Sequence, residues 1–257
     1  MKHFLKIFAV SIVALLTGCG GGGGSSSTST PLGSGTSNSS QPVASTSFFP
    51  LKSGYDKRVT SGHTETYNIS GSCSGSATFT RSPISGNATF GITPAVTVSA
   101  TDNFNTQCSS SSGVARAAAS GTTTGTIYYN SSYNYLGTDV PGNGYYTGME
   151  SPLIPVPANI KVGDTGTLGT EVIYWDAERK LSVGKIVGRY VVEPDTANTV
   201  IVNEIVEIYK HTSTTDELTS TRQERFRIDV NGNITPVSID SQSNPPGEHL
   251  VYTYTPQ

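Results

Sequence analysis

Alternation of apolar and polar positions dominates the chain beyond about residue 48. Arg225-Phe226-Arg227-Ile228-Asp229-Val230 puts Phe226, Ile228 and Val230 on one side and the charges on the other, as a half-buried strand requires. Val237 and Ile239 continue that phase, and so do Leu250, Tyr252 and Tyr254. Asn231-Gly232 between the first two runs predicts a two-residue hairpin. Further strands are predicted over Thr170–Trp175, Lys180–Val192 and Thr199–Tyr209. Breaks fall at Asp176–Arg179, Glu193–Thr196 and His211–Ser220. The 180–192 run changes phase near Gly184, where a bulge or bend would let the sheet curl.

The first half is less regular, with strands expected over Val59–Ile69, Ser76–Arg81, Ala88–Phe90, Val96–Ala100 and Thr122–Tyr129. Helical periodicity is nearly absent. Its best candidate, Val114–Ala119, is too short to stand alone. The expected fold is all-β, an antiparallel meander forming a sandwich or a partly closed barrel.

Ahead of this body the pattern differs. Lys2 and Lys6 precede an apolar run from Ile7 to Leu16, which is long enough for an export signal and too short for the roughly 20 residues of a spanning helix. From Gly20 to about Ser47 the chain is Gly, Ser, Thr and Asn with isolated Pro. That composition buries too little apolar surface to offset the entropy of ordering. It predicts a tether with a reach on the order of 30 Å. The expected organisation is a signal over 1–18, an anchor and tether over 19–47, and a β domain over 48–257 with possible halves 48–150 and 151–257.

Leu16-Thr17-Gly18-Cys19 resembles the lipobox of bacterial lipoproteins. The resemblance implies cleavage before Cys19, diacylglycerol on its sulfur and an acyl chain such as palmitate on the new amine. Two or more chains anchor a protein stably to a membrane. Gly20, in place of Asp, implies the outer membrane. Phe48-Phe49-Pro50-Leu51-Lys52-Ser53-Gly54 and Pro157–Asp164 resemble recurring segments of uncharacterised β-rich proteobacterial lipoproteins. Those relatives often carry Trp soon after the first Gly; here Tyr55-Asp56-Lys57 follows. The resemblance implies a compartment and a fold, and no active site.

Composition narrows the chemistry. Without Lys2 and Lys6 the chain has 14 basic and 19 acidic residues, and no basic patch suggests nucleic acid. About a quarter of the residues are Ser or Thr, which fits an exported β protein. Beyond Cys19 only Cys73 and Cys108 remain. In an oxidising compartment they are expected to pair. Closing that loop stabilises the fold by roughly 4 kcal/mol in the chain-entropy view. The alternative is a catalytic thiol in Gly71–Gly75, which would need a base such as His63.

No nucleophile elbow, zinc-protease motif or Walker loop is present. His63, His211 and His249 are far apart in sequence. Asp229–Asn233 with Asp240 has its Gly at the wrong position for a calcium loop and is better explained as a turn. Neither a cofactor nor a metal is expected. Thr126–Tyr146 holds a tyrosine cluster, of which Tyr128, Tyr133, Tyr135 and Tyr145 are the candidate ligand contacts, since tyrosines stack on and hydrogen-bond to sugars or peptides. The sequence reads best as a membrane-anchored envelope protein that scaffolds or contacts an envelope protein or glycan and is not an enzyme. The alternative is a lipoprotein holding a glycan or an apolar molecule in its curled sheet.

Overall fold

The computed structural model describes residues 47–108, 119–213, 215–244 and 250–257. One helix, α1 (Leu51–Ser61), precedes thirteen strands. These are β1 (His63–Gly71), β2 (Cys73–Arg81), β3 (Ser85–Phe90), β4 (Thr93–Cys108), β5 (Ala119–Tyr129), β6 (Tyr135–Val140) and β7 (Tyr145–Met149). Then come β8 (Thr165–Tyr174), β9 (Ser182–Thr196), β10 (Thr199–His211), β11 (Asp216–Asp229), β12 (Ile234–Ser243) and β13 (Leu250–Pro256). All pairings are antiparallel. The order β2-β1-β13-β12-β11-β10-β9-β8-β7-β6-β5-β4 closes through a β2–β4 seam into a barrel of twelve strands, with β3 added along β4. Strands from both halves share this one sheet, so of the two expected forms it is the barrel, and it closes fully.

The alternation is realised where it was strongest. Phe226 and Ile228 face inward and are buried. Val230 does not follow them; it sits exposed in the β11–β12 turn. That turn is longer than two residues. Asp229 and Asn233 bracket it, Gly232 has φ +76°, and the Asp229 carboxylate accepts the Asn231 and Asn233 N–H groups. Glu193–Thr196 is not a break but the end of β9, and the chain reverses at Ala197-Asn198. Near Gly184 the β8–β9 register does slip, with Ile173 opposite Gly184 and Tyr174 opposite Ser182. The candidate helix at Val114 lies outside the described residues, and its last residue, Ala119, opens β5.

The helix α1 corrects the expected strand start at Val59. Leu51, Tyr55 and Val59 recur every four residues and are all buried. Gly62, with φ +68°, ends the helix and turns the chain into β1. A Cβ on Gly54 would lie 2.8 Å from the Gly232 carbonyl oxygen, so the helix can approach the β11–β12 turn this closely only with glycine there. Lys52 donates to the Ser132 carbonyl and Lys57 to that of Asn231, while Phe49 pairs with Ile160. The start of α1 thus sits at one mouth of the barrel, among the β5–β6, β7–β8 and β11–β12 connections.

Over β1, β2, β4 and β5 the outer face has an unusual composition. Register pairs form three rows of outward side chains. The rows are Thr64, Thr80, Thr101 and Thr124; Thr66, Thr78, Asn103 and Thr122; Asn68, Ser76, Asn105 and Ser120. All twelve are hydroxyl or carboxamide residues. The described charged residues of these strands, Glu65, Arg81 and Asp102, all point inward and are buried.

Candidate functional site

The barrel interior is the natural place to look for a ligand, and it is filled. Leu51 and Tyr55 seal the mouth against Ile160, Val192, Val200, Val202, Phe226 and Ile228. Deeper in, Val59 packs with Val98, Ile127, Tyr129, Val140, Ile186 and Val206. Among the described residues, two small cavities border this packing. One, of about 40 Å³, lies between Tyr55, Tyr133, Tyr135, Met149 and the 153–156 segment. The other, of about 20 Å³, lies among Arg58, His63, Arg81 and Tyr129. A water needs roughly 10–15 Å³ on this measure, so each has room for no more than one to a few waters.

Around the helix the interior is charged. Arg58 pairs with Glu65 at 2.5 Å, Arg81 with Asp102 at 2.5 Å and Arg222 with Glu224 at 2.8 Å. Glu65 also accepts the Tyr67 hydroxyl at 2.8 Å. Two further carboxyls, Glu204 and Glu171, are buried and bonded to tyrosine hydroxyls. Tyr55 on α1 donates to Glu204 and Tyr135 donates to Glu171.

These environments set the protonation. Glu204 stands directly opposite Glu224 in the β10–β11 register. Burial and then the Glu224 charge push the Glu204 carboxyl up to about 8. Burial raises Glu171 and Glu224 as well. Burial also acts to raise Glu65, but Arg58 beside it prevails and holds it below the ordinary range. For Asp102 burial prevails over the Arg81 charge. Like charges opposite each other destabilise a sheet, and a proton kept on Glu204 removes that repulsion.

The histidines do not form one site. His63 lines the smaller cavity, where burial and the neighbouring Arg58 and Arg81 charges lower it to about 4. His211 lies on the outside and contacts Asp216 at 2.5 Å through Nδ1, in a cluster that Lys185 joins at 2.7 Å. His249 lies outside the described residues.

The four tyrosines are divided between surfaces. Tyr135 and Tyr145 point into the barrel, where burial raises both hydroxyls well above their usual value. Tyr128 lies outside, packed on Phe90 with ring centroids 5.2 Å apart and donating to Asp139 at 3.1 Å. Tyr133 sits at the mouth, with the Lys52 ammonium 5.8 Å from its ring centroid. They do not converge on one ligand. The Asp229 turn is held by its own backbone, and no cluster of three metal-ligating side chains occurs among the described residues. The interior carboxylates were not singled out by the sequence. Glu65 shares a strand face with Tyr67 and Ile69, opposite Thr64, Thr66 and Asn68, and that alternation is the signal that places it inside.

Cys73 and Cys108 are direct partners at one end of the β2–β4 seam. Arg81 and Asp102 pair near the other end of it.

No family model and no curated protein matches the chain. Among solved structures it resembles a protein from Bacteroides fragilis, inferred to be exported and described as having a YmcC-like fold. The identity is 15%, the TM-score 0.30, and the match covers 83% of this chain and 98% of the other.

Proposed function

We propose that the protein is a lipid-anchored bacterial envelope protein whose barrel acts as a scaffold or interaction module and not as an enzyme. The observation that carries this reading is the filled interior. The helix α1 and the charged cluster occupy the space that a bound ligand would need, and cavities of about 40 and 20 Å³ remain. This weighs against the alternative of an apolar molecule or glycan held inside the sheet, and leaves the outer surface as the place of contact. Anchoring rests on the lipobox residues Leu16–Cys19, and the outer membrane on Gly20.

The Cys73–Cys108 disulfide belongs to the same reading. Direct cross-strand partners have Cα atoms about 4.5–5.5 Å apart, within the range that a disulfide spans. Such a bond would fasten the seam that closes the barrel.

Protein purified from the envelope tests the scaffold reading by native mass spectrometry. The expected mass is that of the lipidated polypeptide alone. A small molecule retained at one equivalent would return the ligand-binding alternative. Labelling with a fatty-acid analogue should be lost in Cys19→Ala, and labelling that persists would remove the anchor.

A further inference from the structure

Ser47, the first described residue, stands at the mouth of the barrel that α1 enters, because Phe49 pairs there with Ile160. Exposed apolar side chains stand at both ends of the barrel, Trp175 and Leu181 at the far one, and this mouth is singled out by being the end at which the chain from Cys19 arrives. Phe48 is 65% exposed and Ile154 40% exposed, with Pro155 exposed beside it. The Lys161 ammonium lies 6.0 Å from the Phe48 ring centroid, and Lys52 takes the corresponding place over Tyr133. Aromatic rings paired with lysines are the composition of surfaces at the boundary between lipid and water. The nearby carboxylates are engaged locally, Asp56 by Lys52 and Asp164 by the Lys161 N–H.

We propose that this mouth docks on the phospholipid bilayer that carries the Cys19 lipid, with Phe48 and Ile154 entering the interface. The proposal rests on the anchored reading above. About 28 residues separate Cys19 from Ser47, and a chain of that composition reaches on the order of 30 Å. The mouth is therefore held at high effective concentration near the membrane. The opposite end stands a strand length further away. Trp175, the protein's only tryptophan, is 47% exposed at that end, just after β8. Ten residues of β8 at roughly 3.3 Å each set it about 30 Å from the mouth.

That tryptophan is a built-in reference for the test. Lipidated full-length protein is incorporated into phosphatidylethanolamine and phosphatidylglycerol vesicles with brominated acyl chains, which quench indoles that reach the interface. Native Trp175 should keep its emission. In a Trp175→Phe background, Ile154→Trp and separately Phe48→Trp should lose about half of theirs, as expected of side chains buried roughly 5–10 Å into the headgroup boundary. Flotation with the vesicles reports anchoring separately. If the protein floats while both new tryptophans stay bright, docking is overturned and the anchor stands. Quenching of Trp175 to the same extent as the others also overturns docking, since the barrel would then have no preferred orientation. Loss of flotation removes the anchor and docking together.

Discussion

Glu204 and Glu224 face each other across β10 and β11 inside a closed barrel, and only Arg58, Arg81 and Arg222 stand near the five interior carboxyls Glu65, Asp102, Glu171, Glu204 and Glu224. A proton on Glu204 halves that excess and removes the repulsion from Glu224. Its folded value of about 8 lies above the ordinary 4.5. The unfolded chain therefore releases this proton earlier as pH rises. The stabilisation is complete below about 4.5 and is lost progressively up to about 8. His63 acts in the opposite sense. Its folded value of about 4 is below the ordinary 6.5, so stability rises with pH between those two values. Above 6.5 the Glu204 effect is no longer opposed by His63. From pH 6.5 upward, unfolding free energy from denaturant titration should fall by up to about 1.4 kcal/mol per unit from this one proton, the slope halving as pH reaches 8. Glu204→Gln, which can still accept from Tyr55, should flatten that slope. An undiminished slope in the variant would assign the dependence to other groups.

At the scale of elements, the closing seam and the β9–β10 pair make the sharpest predictions. A Cβ on Gly184 would meet the Tyr209 carbonyl oxygen at 2.2 Å, a backbone contact that no rotamer change relieves. Gly184→Ala should cost about 1–3 kcal/mol, as overpacking does, seen as a lower thermal midpoint. An unchanged midpoint would mean that the strands separate there at no cost. Protein extracted under acid trapping should show no free thiol at Cys73 or Cys108. The double Ser variant should lose roughly 4 kcal/mol, and labelling of either cysteine without reductant would remove the seam bond. The same elements show what was legible in the sequence. Strands such as β11, with Phe226 and Ile228 alternating with charged residues, announce both their conformation and their inner face. The helix α1 did not, although Leu51, Tyr55 and Val59 have helical spacing. Gly54, Val59 and Thr60 lower helix propensity, and the reason for Gly54 is a turn 178 residues away. On β1, β2 and β4 the charges share their faces with Tyr67, Phe79 and Val98, so the alternation carries their inward direction. But a charge reads against burial unless its partner is known, and the partners in Arg58–Glu65 and Arg81–Asp102 lie on different elements.

The whole molecule inverts the usual arrangement over part of its wall, with charges inside and a neutral hydroxyl and carboxamide surface outside. A barrel that spans a membrane needs an apolar outer band about 25 Å tall. The rows across β1, β2, β4 and β5 contain no apolar residue, so lipid tails would face a dozen polar side chains. On the opposite side of the wall, Arg225 pairs with Asp240 and Arg227 with Asp195 on the outer face. No helix among the described residues is long and apolar enough to cross a membrane either. Under the proposed function the Cys19 lipid would provide the membrane attachment, with the exposed apolar side chains at the mouth as a second contact. A body beginning at Ser47 and exported on an ordinary cleavable signal should stay in the aqueous phase when a detergent solution is warmed to phase separation. The lipidated protein should enter the detergent phase. If the unlipidated body enters the detergent phase as well, its barrel wall carries an affinity for lipid that these polar rows do not explain.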